Sequence, residues 1–543
     1  MATSGQPRPR LIERLLDPSA YPHPTAGIRL IETHISWVIL TGPFAYKVKK
    51  PVTLGFVDYS TLDLRRRSCE GEVRVSGRFA PGLYVAAVPI TGTAGRPQVG
   101  GTGAPIEWAV KLVQFDEADR LDARFEAERL TAADCRSLGE AIAAVEERLA
   151  VARSGVPWGS ADSVLAAAAV NFAAIRAHLP EASARADSLE GWLRERLTAA
   201  TPLLSRRQAA GRVRECHGDL HLANIVLHEG RMTPFDAIEF SDNLRWIDVA
   251  NDVAFLSMDL ESRGRPDLAA QVVSSWVEAT NDHDALPLLP AYEAYRAVVR
   301  ASIAAIRAGQ GCADSRAEAI RYLDLAERLT WPRQTVMVAT CGVSGSGKST
   351  VAAELVGALP AVRIRSDVER KRLAGMRPTD RPGSAGAASA IYAVDHTRRV
   401  YERLAVLAGS ILDGGSSVVV DAACTRRWQR DLLAEVARGR GVPLVWLACA
   451  APADTVQERV ARRMACGGDP SDATADVVRA QVASFEPIGE DEVDGRVAVV
   501  RASDDPVAAA ALVVATLRHE TSPERQRGDA RSYDGRACGG RRA

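Results

Sequence analysis

Gly342-Val-Ser-Gly-Ser-Gly-Lys-Ser349 reads G-x-x-x-x-G-K-[ST] without deviation, between the apolar run TVMVATC at 335–341 and the helix-forming stretch STVAAELVGAL at 349–359. Strand, glycine-rich turn and helix in that order let successive backbone N–H groups close around phosphates at a helix N-terminus. Gly342, Gly345 and Gly347 supply the turn. Lys348 reaches the β- and γ-phosphates, the Ser349 hydroxyl is a Mg²⁺ ligand, and Thr350 continues the set on the helix. Working outward, AVRIR (361–365), SVVVD (417–421), PLVWLA (443–448) and RVAVV (496–500) are further short apolar runs, separated by amphipathic stretches such as RWQRDLLAEVARGR. That alternation predicts an α/β unit with a parallel sheet over 335–518. Asp421 ends its run at the carboxyl edge beside the glycine turn, where a second metal-side carboxylate belongs.

Ser366-Asp367-Val-Glu-Arg370 follows AVRIR, so Asp367 also sits at a strand's carboxyl end, placed to take the proton of an acceptor hydroxyl, with Arg370 one helical turn on. Arg459, Arg462 and Arg463 precede the glycine-rich ACGGDPSDA, the pattern of a lid that brings an arginine to a transferring phosphoryl group. From 363 to 381 seven Arg or Lys stand against three Asp or Glu. An excess around Asp367 predicts an anionic acceptor, since guanidinium groups bind carboxylate and phosphate bidentately.

The whole chain has 543 residues, 68 Lys+Arg against 68 Asp+Glu, and 47% hydrophobic residues. The balance excludes a global basic field, so nucleic acid is not an expected partner. The length predicts two to four domains. No apolar run is long enough to span a membrane, and the nine cysteines show no Cys-x-x-Cys pair, so a reducing, cytoplasmic location is expected. Only six of the 68 cations are lysines, which marks each lysine as a candidate for a site that wants a compact ammonium.

Upstream, His217-Gly-Asp219-Leu-His-Leu-Ala-Asn224 has the spacing H-x-D-x-x-x-x-N of a protein-kinase-type catalytic loop, with the Asp guiding an acceptor hydroxyl and the Asn holding Mg²⁺. IVLH, the turn Glu229-Gly230 and RMTPF then form a hairpin that pairs 228 with 231 and hence 224 with 235. Asp236 is thereby brought beside Asn224, giving two hard oxygen ligands for one metal. Such a site needs a phosphate-binding lysine on an upstream strand and a glutamate on the next helix. AYKVKKP offers Lys47 and Lys49 on one face, and LDLRRRSCEGEVRVSGRF offers Glu70 and Glu72, whereas Lys111 follows that helix instead of preceding it. Asp248, Asp252, Asp259 and Glu261 fit helix caps and solvated faces better than a pocket for a cationic substrate.

The motifs over 335–490 resemble the small P-loop kinases grouped around adenylate, gluconate and polynucleotide kinase. The resemblance implies Lys348 and Ser349 as nucleotide and Mg²⁺ contacts, Asp367 as base beside Arg370, and Arg463 as the lid arginine. The run HGDLHLANIVLHEGRMTPFDAIEF resembles the aminoglycoside phosphotransferase and choline kinase group. That likeness implies an α+β, protein-kinase-like bilobal domain with Asp219 as base, Asn224 and Asp236 as Mg²⁺ ligands, Lys47 as the phosphate lysine and Glu72 as its partner. The expected organisation is a kinase-like domain over 8–331, a P-loop domain over 335–518 and a disordered tail over 519–543. The expected activity is ATP-dependent phosphorylation of small hydroxyl compounds. One live kinase with a regulatory ATP-binding partner domain, or a nucleotide-driven switch, would use the same motifs.

Overall fold

The computed structural model describes residues 8–54, 57–153, 155–378, 380, 390–466, 471–492, 497–501 and 505–520. They form two compact units. The first takes the described residues up to Asp134 together with Glu140–Gly264 and Leu289–Thr330; the second takes Cys135–Gly139, Arg265–Leu288 and the described residues from Trp331 onward.

The first unit opens on a six-stranded antiparallel sheet in the order Arg29–Glu32, Ser36–Leu40, Phe44–Lys49, Glu107–Val113, Tyr84–Thr93, Arg96–Val99. Side chains alternate along Phe44–Lys49, so Tyr46 and Val48 enter one core layer with Trp37, Ile39 and Ile90. Ala45 goes to the opposite layer with Leu40, Val110 and Cys69, and Lys47 and Lys49 share its parity. Cys69 belongs to helix Leu62–Phe79, which Thr61 caps by accepting from Leu64 N and which buries Arg65, Cys69, Glu72, Val75, Ser76 and Phe79. That spacing of three and four is one helical face, and Glu72 is drawn into it beneath the two lysines. The rest of the unit is mostly helical. Helix Val249–Ser262 is buried over its first twelve residues, and Leu289–Gly309 packs between it and Ala313–Thr330.

The second unit is a five-stranded parallel sheet in the order Ala361–Arg365, Ser417–Asp421, Met337–Cys341, Leu444–Ala448, Val497–Arg501. All five strands fall where the apolar runs place them, because a strand covered on both faces needs a continuous apolar stretch. Helices Lys348–Ala358 and Pro506–Glu520 cover one part of this core through Val351, Leu355, Ala509 and Val513. Helix Pro266–Thr280 packs on Lys348–Ala358 and on the edge strand Ala361–Arg365. Its Ser274 Oγ accepts from Arg363 N at 3.0 Å, and its Gln271 Nε2 donates to Ala353 O at 2.9 Å. A break drawn only near 331 therefore omits a helix of this unit. The expected tail lies, beyond Glu520, outside the described residues.

Candidate active sites

In the second unit the glycine turn runs directly from strand Met337–Cys341 into helix Lys348–Ala358. Gly342 has φ +146° and an added Cβ would lie 2.2 Å from Cys449 O, so the turn's close approach to the next strand admits only glycine. Gly345 and Gly347 also have positive φ. Lys348 is buried, its Nζ donating to Val343 O at 2.8 Å; burial lowers its pKa while Asp421 opposes the shift. Ser349 Oγ donates to Asp421 Oδ1 at 3.2 Å, and the buried Oδ2 of Asp421 makes no hydrogen bond. A hydroxyl beside an unsatisfied carboxylate oxygen at a helix N-terminus suits a hard divalent cation carrying nucleotide phosphates.

A cavity of about 1120 Å³ runs from this loop to Asp367 and Arg370, with Thr350, Arg459 and Trp428 also on its wall. Arg370 Nη1 donates to Ile391 O at 2.7 Å and to Thr397 Oγ1 at 3.0 Å, its guanidinium lies over the Tyr392 ring, and its buried Nε is unpaired. Of the basic excess of 363–381, Arg365 and Arg370 line the cavity, and several of its cations are paired. Lys371 pairs with Asp472 at 3.1 Å, Arg372 with Glu369, and Arg365 with Glu278 at 3.4 Å; Arg381 lies outside the described residues. Arg365 also lies 3.9 Å from Asp421 Oδ2, so it and Arg370 both stand on the cavity wall with Asp367. Among the competing lid arginines, Arg459 reaches the loop, its Nη1 lying 3.5 Å from Gly345 O, and the Arg463 side chain is outside the described residues.

In the first unit the hairpin forms with Ile225–His228 against Arg231–Pro234, His228 opposite Arg231, and Phe235 N donating to Asn224 O at 2.8 Å. Glu229 and Gly230 both have positive φ, the geometry of a two-residue turn that matches strand twist. Asp236 follows at φ +62°, an uncommon conformation for a non-glycine residue, steadied by its N–H to Tyr84 OH at 2.9 Å. Lys47 Nζ bridges Glu72 Oε1 at 3.0 Å and Asp236 Oδ1. Burial alone would lower the Lys47 pKa, but the Asp236 and Glu72 carboxylates raise it. Sequence spacing left Lys47 and Lys49 equivalent; the structure gives only Lys47 the contact with Asp236. Lys49 is fully buried between Glu72 and Glu239, the latter at 2.7 Å and also bonded by Tyr59 OH and Ser68 Oγ. Glu70 instead pairs with Arg66 on the exposed side of the helix, and Lys111 lies over the Phe44 ring.

The catalytic-type loop is held from below by the acids of helix Val249–Ser262. Asp252 accepts from His217 N at 2.8 Å and Gly218 N at 2.9 Å, and Asp259 accepts from Leu222 N at 3.0 Å. Asp248 caps the helix and forms a buried bidentate pair with Arg207. Asp248 is the expected cap, whereas Asp252 and Asp259 are neither caps nor on a solvated face: both are buried and hold the loop's backbone. Gly218 has φ +83° and a Cβ there would meet Leu244 O at 2.7 Å. Asp219 Oδ2 accepts from Asn224 Nδ2 at 2.9 Å and lies 3.4 Å from His221 Nε2. Burial would raise its pKa, yet His221, His217 and Arg300 hold it well below the usual carboxylate range, so Asp219 is ionised at neutral pH. Glu239, Arg296 and Arg300 escaped the sequence reading; the signal for the two arginines was their i, i+4 spacing on one long helix.

A family model described as an AAA domain matches residues 337–488. An uncharacterised protein of Mycobacterium tuberculosis strain H37Rv, Rv2004c, is 30% identical over 459 residues, which is 82% of this chain and 87% of that protein. Among solved structures, a choline/ethanolamine kinase family protein from Mesorhizobium loti covers 57% of this chain and 89% of its own, at 14% identity and TM-score 0.36. A sugar kinase from Janibacter sp. HTCC2649 covers 34% of this chain and 96% of its own, at 21% identity and TM-score 0.26. The family model falls within the second unit, whose glycine turn stands on a parallel sheet, and the identity with Rv2004c extends over both units. The chain belongs to the same family as that mycobacterial protein.

Proposed function

We propose that the chain is an ATP-dependent phosphotransferase in which each unit binds Mg·ATP and phosphorylates a small hydroxyl compound. The observation that carries this reading is one cavity of the second unit that is lined by Lys348, Ser349 and Asp421 and also by Asp367 and Arg370. Donor and acceptor groups of an in-line transfer fit within one cavity. Ser349 and Asp421 would hold the metal there, and Asn224 and Asp236 in the first unit; Mg·ATP supplies the phosphoryl group and offsets its charge. The side chains position: Lys348 and Lys47 hold phosphate oxygens, Glu72 orients Lys47, Asp367 and Asp219 accept the acceptor's hydroxyl proton, and Arg459 faces the transferring group. Phosphate transfer from labelled ATP to a small-molecule pool, compared for the intact chain, Asp219→Asn, Asp367→Asn and the double variant, tests the reading. Each single variant should lose a different product and the double variant both. A double variant that transfers phosphate as the intact chain does would overturn it.

A further inference from the structure

Arg296 and Arg300 stand one turn apart on helix Leu289–Gly309, hence on one face. Arg296 fixes the direction of that face. Its Nη1 donates to Gly218 O at 3.0 Å, the residue before Asp219, and its Nε donates to Asn251 Oδ1 at 2.8 Å. Arg300 therefore follows Arg296 on the side of the helix that faces the loop carrying Asp219. It is less enclosed than Arg296, which is buried. Its side chain is 27% exposed, its carboxylate neighbour Glu318 lies at 4.0 Å, and Glu318 is taken at 2.7 Å by Arg307. Tyr322 presents its ring to the guanidinium at 5.7 Å and its hydroxyl takes one of the guanidinium N–H groups, leaving the rest of the fork.

The opposite charge is spent. Asp248 is locked to Arg207, Asp252 to the His217 and Gly218 N–H groups, and Asp259 to Leu222 N and Arg263. A protonated amine arriving at Asp219 would meet a guanidinium and an imidazole, with those three carboxylates already hydrogen-bonded. A negatively charged acceptor would meet a partly exposed arginine fork, the group suited to carboxylate and phosphate.

We propose that the acceptor of the kinase-like unit is an anion, a hydroxyl compound whose carboxylate or phosphate is bound by Arg300 while its hydroxyl faces Asp219. This rests on the reading of Asp219 as base. In the step, a bond forms between the acceptor oxygen and the γ-phosphorus and the bond from that phosphorus to the β,γ-bridging oxygen breaks. The hydroxyl proton passes to Asp219 and ADP leaves with the bond's electron pair.

The test uses the full chain, labelled ATP and a protein-free small-molecule extract of cells that encode it, split by ion exchange into anionic, neutral and cationic fractions. Asp219-dependent transfer is expected in the anionic fraction alone. Pre-treating that fraction with phosphatase separates the two sources: an acceptor that is lost was a phosphate ester, and one that survives carries a carboxylate. Arg300→Gln should raise the acceptor KM about tenfold or more with the ATP KM unchanged, and Arg300→Lys should recover part of the loss. Asp219-dependent transfer to a cationic or neutral acceptor overturns the proposal and leaves the base assignment standing. Transfer that is the same in Asp219→Asn, or absent from every fraction, defeats the base assignment and the proposal with it.

Discussion

Replacing Lys49 by Met should destabilise the first unit far more than removing a surface charge does. Lys49 is fully buried, and its ammonium lies between Glu72, fully buried, and Glu239, whose side chain is 5% exposed. Glu72 would still hold Lys47 at 3.0 Å, but Glu239 would keep only the Tyr59 and Ser68 hydroxyls. A buried carboxylate left without its cation costs about 3–5 kcal/mol. The pH dependence carries the diagnosis. In the native chain Lys49 holds the Glu239 pKa below the ordinary glutamate value, so the pair's contribution is present above roughly pH 4.3 and fades as pH falls through the depressed folded pKa. In the variant, burial acts on Glu239 without the lysine and raises its pKa. The penalty then grows as pH rises above the unfolded value and shrinks on acidification. Urea unfolding followed by tryptophan fluorescence, with Trp37 and Trp108 as reporters in the sheet, should show the gap between the two proteins narrowing from pH 7 to about pH 4.5. A loss under about 1 kcal/mol at pH 7, or a gap that does not move with pH, would refute the argument.

Three further outcomes are expected. Asp219→Asn should melt like the native chain while phosphorylation by the first unit falls at least about 100-fold, because Asp219 is half-buried and its ring of partners survives the isosteric change. Gly342→Ala should cost the second unit about 2 kcal/mol or more and abolish its nucleotide binding in titration, since the new Cβ collides with Cys449 O at a φ of +146°. Asp421→Asn should leave the second unit folded but raise the Mg²⁺ concentration needed for half-maximal transfer about tenfold, which a metal titration at fixed ATP reads directly.

Much of this architecture is legible before any coordinates because it rests on local rules. Continuous apolar runs locate the five parallel strands, the run ends locate Asp367 and Asp421, and the Glu229-Gly230 turn sets the register that carries Asn224 toward Asp236. What sequence could not supply is pairing across distance. Period two places Lys47 and Lys49 on one face, but their division of labour depends on Glu239, some 190 residues later. Counting charges over 363–381 does not show which of them are paired: Glu278 and Asp472, far outside that window, pair with Arg365 and Lys371. An amphipathic pattern likewise says that helix Pro266–Thr280 has a face to bury, and not which sheet will receive it.

That helix has a practical consequence for anyone dividing the gene. Strand Ala361–Arg365 ends the parallel sheet, and its outward N–H at Arg363 is satisfied by Ser274 Oγ, a residue encoded nearly ninety codons upstream. A fragment started near residue 331 would carry an uncapped, β-branched edge of the kind that recruits other chains into mixed sheets, and it should express as aggregate. Supplying 265–288 as a separate peptide should return it to solution. The two units are thus interleaved along the polypeptide, and a cut at the apparent junction would leave the second without the helix that closes its sheet edge.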